Sequence, residues 1–114
     1  MGLLVDGKWT ENDPRTSKDG KFVRKESVFR SWITADGSPG PTGEGGFKAE
    51  AGRYHLYVTH NCPWAYRTMI FRKLKKLEAL IDVSVVHWFM GDHGWTFADG
   101  PGVVPDPNVD ARYM

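Results

Sequence analysis

The stretch RYHLYVTHNCPWAYRTMIFRKLKKLEALIDVSVVH, residues 53–87, carries the fold. Tyr54 to Thr59 alternates and is rich in β-formers, with Leu56 and Val58 on one face, so it reads as a strand. Asn61-Cys62-Pro63 breaks it. From Trp64 to about Leu77 the period turns helical. Tyr66, Met69, Ile70, Leu74 and Leu77 make an apolar stripe, and Arg67, Arg72, Lys73, Lys75 and Lys76 fall mostly outside it. Asp82 to His87 is dense in Val and reads as a second strand. Its near-continuous apolarity suits a strand covered on both faces of a parallel sheet. Strand, helix, strand with short connections is a βαβ unit with a right-handed crossover. The fold class is therefore α/β.

In open α/β sheets the reactive site lies beyond the carboxyl ends of the strands. Cys62 sits there, and it is the only cysteine in the chain. Proline is favoured at the first position of a helix, where its missing N–H costs nothing, so Pro63 makes Cys62 the N-cap. Unpaired backbone N–H groups and the positive end of the helix dipole converge on that position. A thiolate is stabilised there and a thiol is not. Free cysteine, with a pKa of about 8.5, is only a few per cent ionised at neutral pH, and helix N-termini favour ionisation. The fourth position of the motif is Ala65, so no resolving thiol exists. Sulfur chemistry at Cys62 would stop at a mixed disulfide unless a soluble thiol such as glutathione completed it. Position and cap alone leave two readings open, this nucleophile and an inert buried thiol.

Outward from this core the texture changes. Residues 1–52 read as an N-terminal extension that is mostly loop. TENDPRTSKDGK (10–21) is polar and turn-rich, and DGSPGPTGEGG (36–46) is loop by composition. Between them Val28, Phe29, Trp32 and Ile33 follow helical spacing. Trp9 and Trp32 read as anchors of the extension. After Phe97 the chain is again loop, with Pro105 and Pro107, and a helix could begin at Asp110. Two strands and one principal helix make a poor stand-alone sheet. Residues 53–114 are therefore expected to be an incomplete α/β domain, the first half of something longer.

Composition excludes several classes. Of 114 residues, 15 are Lys or Arg and 14 Asp or Glu, a net charge of +1 that gives no reason to expect nucleic acid or an anionic membrane as partner. The basic run RKLKK (72–76) reads as a solvated helix face. LIDVSVVHWFM (80–90), interrupted by Asp82 and His87, is far below the ~18 residues that span a bilayer. One cysteine and no secretory h-region at the start point to the reducing cytoplasm. The four histidines (His55, His60, His87, His93) lack metal-ligand spacing, so no metal is expected. His60, two residues before Cys62, reads as a solvent-facing loop residue, although it could lend charge to a thiolate.

A family resemblance narrows the choice. Residues 53–97, above all CPWAYR (62–67), SVVH (84–87) and GWTF (94–97), closely resemble the thioredoxin-like start of the glutathionyl-hydroquinone reductases, the xi class of glutathione transferases. FRSWITADGSPGPTGEGGFKAE (29–50) resembles that family's N-terminal extension. The resemblance implies an incomplete thioredoxin-like domain and a glutathione-dependent reductase or transferase. The cysteine of the family's C-P-W-A motif is the nucleophile, which maps onto Cys62. The tryptophan of G-W-T-F contacts glutathione, which maps onto Trp95. Pro63 and Trp64 would flank the sulfur, with Trp64 shielding it or lining the cleft. The implied partners are glutathione as co-substrate and a glutathionylated quinol. Where this chain has Tyr66, relatives often carry His. The family continues with the cis-proline loop, a Glu-Ser pair for the γ-glutamyl group and a helical domain that supplies quinol-binding tyrosines and much of a homodimer contact. The alternative reading is a non-catalytic relative that binds a partner through an open sheet edge. A small glutaredoxin-like reductant ranks below both.

Overall fold

The structure, a computed structural model, describes residues 3–11, 19, 21, 23 and 26–114. Two strands and a helix make up residues 54–85. Strand β5 (Tyr54–Val58) and strand β6 (Ile81–Val85) pair in parallel, with Tyr54 opposite Ile81 and Val58 opposite Val85. Helix α1 (Pro63–Leu74) makes the crossover. The βαβ unit is therefore present. Val86 N–H continues the ladder to the Val58 carbonyl, and an antiparallel bridge joins Val85 to Val104.

The parallel register sorts the side chains by face. Leu56 and Ile81 lie on the α1 side, around an apolar groove with Arg67, Phe71 and Leu77. His55, Tyr57 and Ser84 lie on the other side and make polar contacts. Among the described residues the buried apolar side chains are Val58, Val85 and Val86. The expected cover on both faces of the second strand holds only for its carboxyl half. Ser84 to Val86 are buried, Ile81 and Val83 are half-buried, and Asp82 is exposed.

The helix stops three residues earlier than the periodicity predicts. Lys76 adopts a left-handed conformation at φ 55°, and Leu77 N–H reaches back to the Arg72 carbonyl at 2.9 Å. That is a Schellman-type stop, with lysine where glycine is usual. Leu77 thus lies beyond the helix. Arg72, expected on the polar face, is half-buried. Its Nε donates to the Ile81 carbonyl at 2.6 Å and one Nη to the Glu78 carbonyl at 3.0 Å, fastening the helix end to the start of β6. The expected stripe is barely covered: Tyr66, Ile70 and Leu74 are exposed, and no residue of α1 is fully buried.

The first fifty residues carry more strand than their composition suggests. Strand β1 (Leu3–Val5) and strand β2 (Lys8–Thr10) form a hairpin in which Leu4 faces Trp9. Its turn is Asp6-Gly7, both at positive φ, the pairing that matches strand twist in two-residue hairpins. Strand β3 (Trp32–Thr34) pairs in parallel with strand β4 (Gly46–Lys48). The helical spacing of Val28, Phe29, Trp32 and Ile33 does not produce a helix. Trp32 and Ile33 are in β3, while Val28 and Phe29 are exposed outside any element. A single short apolar repeat does not overcome the cost of nucleating a helix. Gly46 is required where it stands, because a Cβ there would lie 2.1 Å from the Ser38 carbonyl oxygen.

The chain divides into two compact units. One comprises residues 14–53 and contains β3 and β4. The other combines residues 1–13 with 54–114. Among the described residues no helix is long and apolar enough to cross a membrane.

Candidate functional site

The site is built at the carboxyl end of β5. Thr59 is buried, and its carbonyl accepts from Cys62 N–H at 3.2 Å, closing a tight turn. Cys62 has φ −95° and ψ 111°, the extended geometry of an N-cap, and its own carbonyl accepts the first helical bond from Tyr66 N–H at 3.2 Å. Pro63 occupies the first helical turn, as its fixed φ and missing N–H favour. The Cys62 side chain makes no capping hydrogen bond and is half-exposed. Cys62 thus sits at the positive end of the helix, and no acidic residue in the first turn opposes that end.

Trp64 is 56% exposed on the helix surface, with the Arg67 guanidinium 4.5 Å from its ring centre. His60 is exposed, its ring 6.3 Å from that of Tyr66. Trp95 stands in a different loop. That loop begins with a turn in which Gly94 N–H bonds the Gly91 carbonyl, and Gly94 has φ 89°. Thr96 O accepts from His87 N–H, Trp95 O from Met114 N–H, and Arg112 O from Phe97 N–H, so residues 95–97 run between the end of β6 and the last residues. The half-buried Trp95 is joined to Cys62 by neither a hydrogen bond nor a ring contact among the described residues.

Several groups that the sequence reading passed over hold this end of the sheet. Asn61, beside Cys62, donates its side-chain amide to the Trp88 carbonyl. Buried Ser84 donates to the Pro105 carbonyl at 2.9 Å, so its contact with His55 Nε2 at 2.8 Å needs the ring proton on Nε2. Asp106 is buried. One carboxylate oxygen accepts from Tyr57 Oη at 2.8 Å and Asn108 N–H at 3.0 Å. The other accepts from Val109 N–H at 3.3 Å and Ala111 N–H at 3.1 Å. These donors, led by the Asn108 N–H, outweigh desolvation and hold the Asp106 carboxyl at about 2, below its ordinary 3.8. Asp106-Pro107 repeats the cap signature of Cys62-Pro63, which is the signal that could have found it. Asn61 has no such signal, because its partner lies 27 residues away.

A larger cleft of about 560 Å³ lies between the 91–98 and 105–113 segments and is lined by Asp92, His93, Phe97 and Arg112 among others. Neither Cys62 nor Trp95 lines it. That cleft is the more voluminous, but Cys62, which carries the one thiol of the sequence, lies outside it. Among the described residues no group of three or more His, Cys, Asp or Glu could hold a metal ion.

A parallel βαβ unit with a cysteine capping its helix and proline following is the opening of a thioredoxin-like glutathione transferase fold. The comparisons agree. In sequence and fold this chain matches the N-terminal thioredoxin-like part of the glutathionyl-hydroquinone reductases, the xi class of glutathione transferases. It is 58% identical over 116 residues to glutathionyl-hydroquinone reductase YqjG of Escherichia coli K12, and 48% identical over 115 residues to glutathionyl-hydroquinone reductase PcpF of Sphingobium chlorophenolicum. Both alignments cover all of this chain, against 35% and 34% of the relatives. The chain thus spans about a third of the length of the curated relatives it matches. Among solved structures, the xi-class transferase of Natrialba magadii superposes with a TM-score of 0.76 at 39% identity, over 100% of this chain and 32% of that one. The glutathione-bound structure of YqjG superposes with a TM-score of 0.70 at 57% identity, over 75% of this chain and 28% of that one. No family model matches the chain.

Proposed function

We propose that this chain supplies the sulfur half of a glutathione-dependent thiol reductase, with Cys62 as the nucleophile. The observation that carries this is the half-exposed Cys62 thiol at the N-cap of α1, followed by proline and engaged in no capping bond. The names of the similar proteins supply the substrate class. The Cys62 thiolate attacks the glutathionyl sulfur of a glutathionylated hydroquinone. A Cys62–glutathione disulfide forms, the carbon–sulfur bond breaks, and the ring carbon departs with the electron pair and takes a proton. A second glutathione, as thiolate, attacks that disulfide. Glutathione disulfide leaves and the Cys62 thiolate returns. The balance is one glutathionyl-hydroquinone and one glutathione in, one free hydroquinone and one glutathione disulfide out. Ala65 at the place of the second cysteine of a C-x-x-C pair supports an external resolving thiol. Trp95 is the proposed glutathione contact, with Pro63 and Trp64 at the rim. A reducing cytoplasm keeps such a thiol available.

Mass spectrometry after incubation with a glutathionylated hydroquinone tests the reading. A glutathione adduct on Cys62 that a second portion of glutathione removes is the expected result. Iodoacetamide labelling at pH 6 no faster than in the denatured chain sinks it.

A second reading, a non-catalytic binding piece, draws on one observation. Ile70, Phe71 and Leu74 leave α1 with 52%, 60% and 69% of their surfaces exposed, which is an association surface by its apolarity. It predicts a mass that rises with concentration in sedimentation, with no thiol transfer.

A further inference from the structure

Cys62 and Trp95 stand on separate loops, and one side chain bridges the interval between them. Asn61 lies in the turn that carries Cys62, and its amide donates to the carbonyl of Trp88, beyond the end of β6. The assignment of the amide nitrogen is forced, because a carbonyl oxygen only accepts. Trp88 is itself firmly held. Its ring stacks on His87 with centroids 3.9 Å apart, and Phe89 N–H donates to His87 Nδ1 at 3.1 Å. Gly100 passes so close that a Cβ there would come within 2.7 Å of the His87 ring and 3.2 Å of the Trp88 ring. On the preceding residue, His87 N–H bonds the carbonyl of Thr96 at 2.8 Å, adjacent to Trp95. Bonded partners therefore run from the Cys62 turn through Asn61, Trp88 and His87 to Thr96 and the tryptophan.

Asn61 is exposed, and its backbone N–H is already turned to Thr59 Oγ1 at 3.3 Å. An exposed amide fixed on a carbonyl 27 residues away forms a strut between loops, since nothing in the local turn requires it. We propose that Asn61 is a positioning residue that sets the Cys62 turn relative to the Trp95 loop, and through that spacing the affinity for glutathione. This rests on the reading of Cys62 and Trp95 given above.

The test compares the chain with Asn61→Ala and Asn61→Asp, the second keeping the shape but setting an acceptor against a carbonyl. Hydrogen exchange of the 59–64 and 86–97 segments is measured without ligand, and glutathione affinity by calorimetry. Expected are faster exchange in both segments and a dissociation constant for reduced glutathione raised about tenfold, the loss of one well-made hydrogen bond. The iodoacetamide rate at Cys62 stays within about twofold, because a small reagent needs no second loop. Unchanged exchange in both variants overturns the proposal. So does faster exchange with unaltered affinity, which would make the strut structural only. Failure of the unsubstituted chain to bind glutathione overturns the reading of the site and this inference together, and it is seen before any variant is made.

Discussion

Two dipeptides in this molecule, Cys62-Pro63 and Asp106-Pro107, begin alike and end differently. In each, proline fixes the backbone after a polar side chain that could cap the N–H groups beyond. Asp106 does so. Its two oxygens accept from Tyr57, Asn108, Val109 and Ala111, and the residue is buried. Cys62 accepts no capping bond and remains half-exposed. A carboxylate has several short, strong acceptor sites, whereas sulfur is a weak and bulky acceptor. The same backbone device therefore closes a loop in one place and leaves a thiol uncapped in the other. A cap that satisfies its helix is structure, and one that leaves the N–H groups for an anion is a place for chemistry.

The sharpest break of this comparison is Cys62→Ser. Glutathione transfer should fall by at least about a hundredfold, because a hydroxyl at this position is not ionised. The thermal midpoint should move by no more than about 2 °C, since the sulfur holds nothing in place. A large fall in the midpoint would make Cys62 a structural cap after all.

Asp106→Ala should do the reverse. Losing the acceptor for one hydroxyl and three backbone N–H groups should lower the midpoint on the order of 10 °C, measured by circular dichroism. Iodoacetamide labelling of Cys62 should stay within about twofold below that midpoint, because none of the Asp106 bonds reaches residues 59–64. A parallel loss of labelling would show that the two turns are one unit.

Acid should separate the two caps further. The Asp106 carboxyl is held at about 2 in the folded chain and returns to about 3.8 on unfolding. Its contribution is thus complete above pH 3.8 and is lost as pH falls toward 2. Asp106→Asn should flatten that part of a stability–pH curve, and Cys62→Ser should leave it unchanged.

The smallest effect expected is that of Tyr57→Phe. It removes one donor to Asp106 and the acceptor of Asn108 Nδ2 at 2.9 Å, but the backbone donors remain. A fall of a few degrees in the midpoint is expected. A fall equal to that of Asp106→Ala would shift the weight of the network from the backbone to the phenol.

Much of this was legible in one dimension. The alternation of Tyr54–Thr59, the helical period after Pro63 and the Val-dense 82–87 run located β5, α1 and β6 to within a few residues. The cap at Cys62 followed from one proline. Elsewhere the pattern misled. Val28, Phe29, Trp32 and Ile33 have helical spacing, yet Trp32 and Ile33 pair with β4 instead. The Asp6-Gly7 pair between Leu3–Val5 and Lys8–Thr10 is a recognisable hairpin signal that a loop reading of residues 1–52 passes over. Leu77 continued the helical stripe on paper, but the left-handed Lys76 had already ended the helix.

What the sequence determined by itself is local: which residues extend, which coil, and where a thiol meets the start of a helix. These follow from φ preferences, side-chain period and the geometry of proline, all of which act within a few residues. Only the tertiary structure decided that Arg72 spans from the helix to Ile81, that Ser84 joins His55 to Pro105, that Tyr57 reaches Asp106, and that Asn61 reaches Trp88. Each of these joins groups nine or more residues apart in the chain. In three of them the acceptor is a backbone carbonyl, which every residue carries alike, so no pattern of side chains announces it.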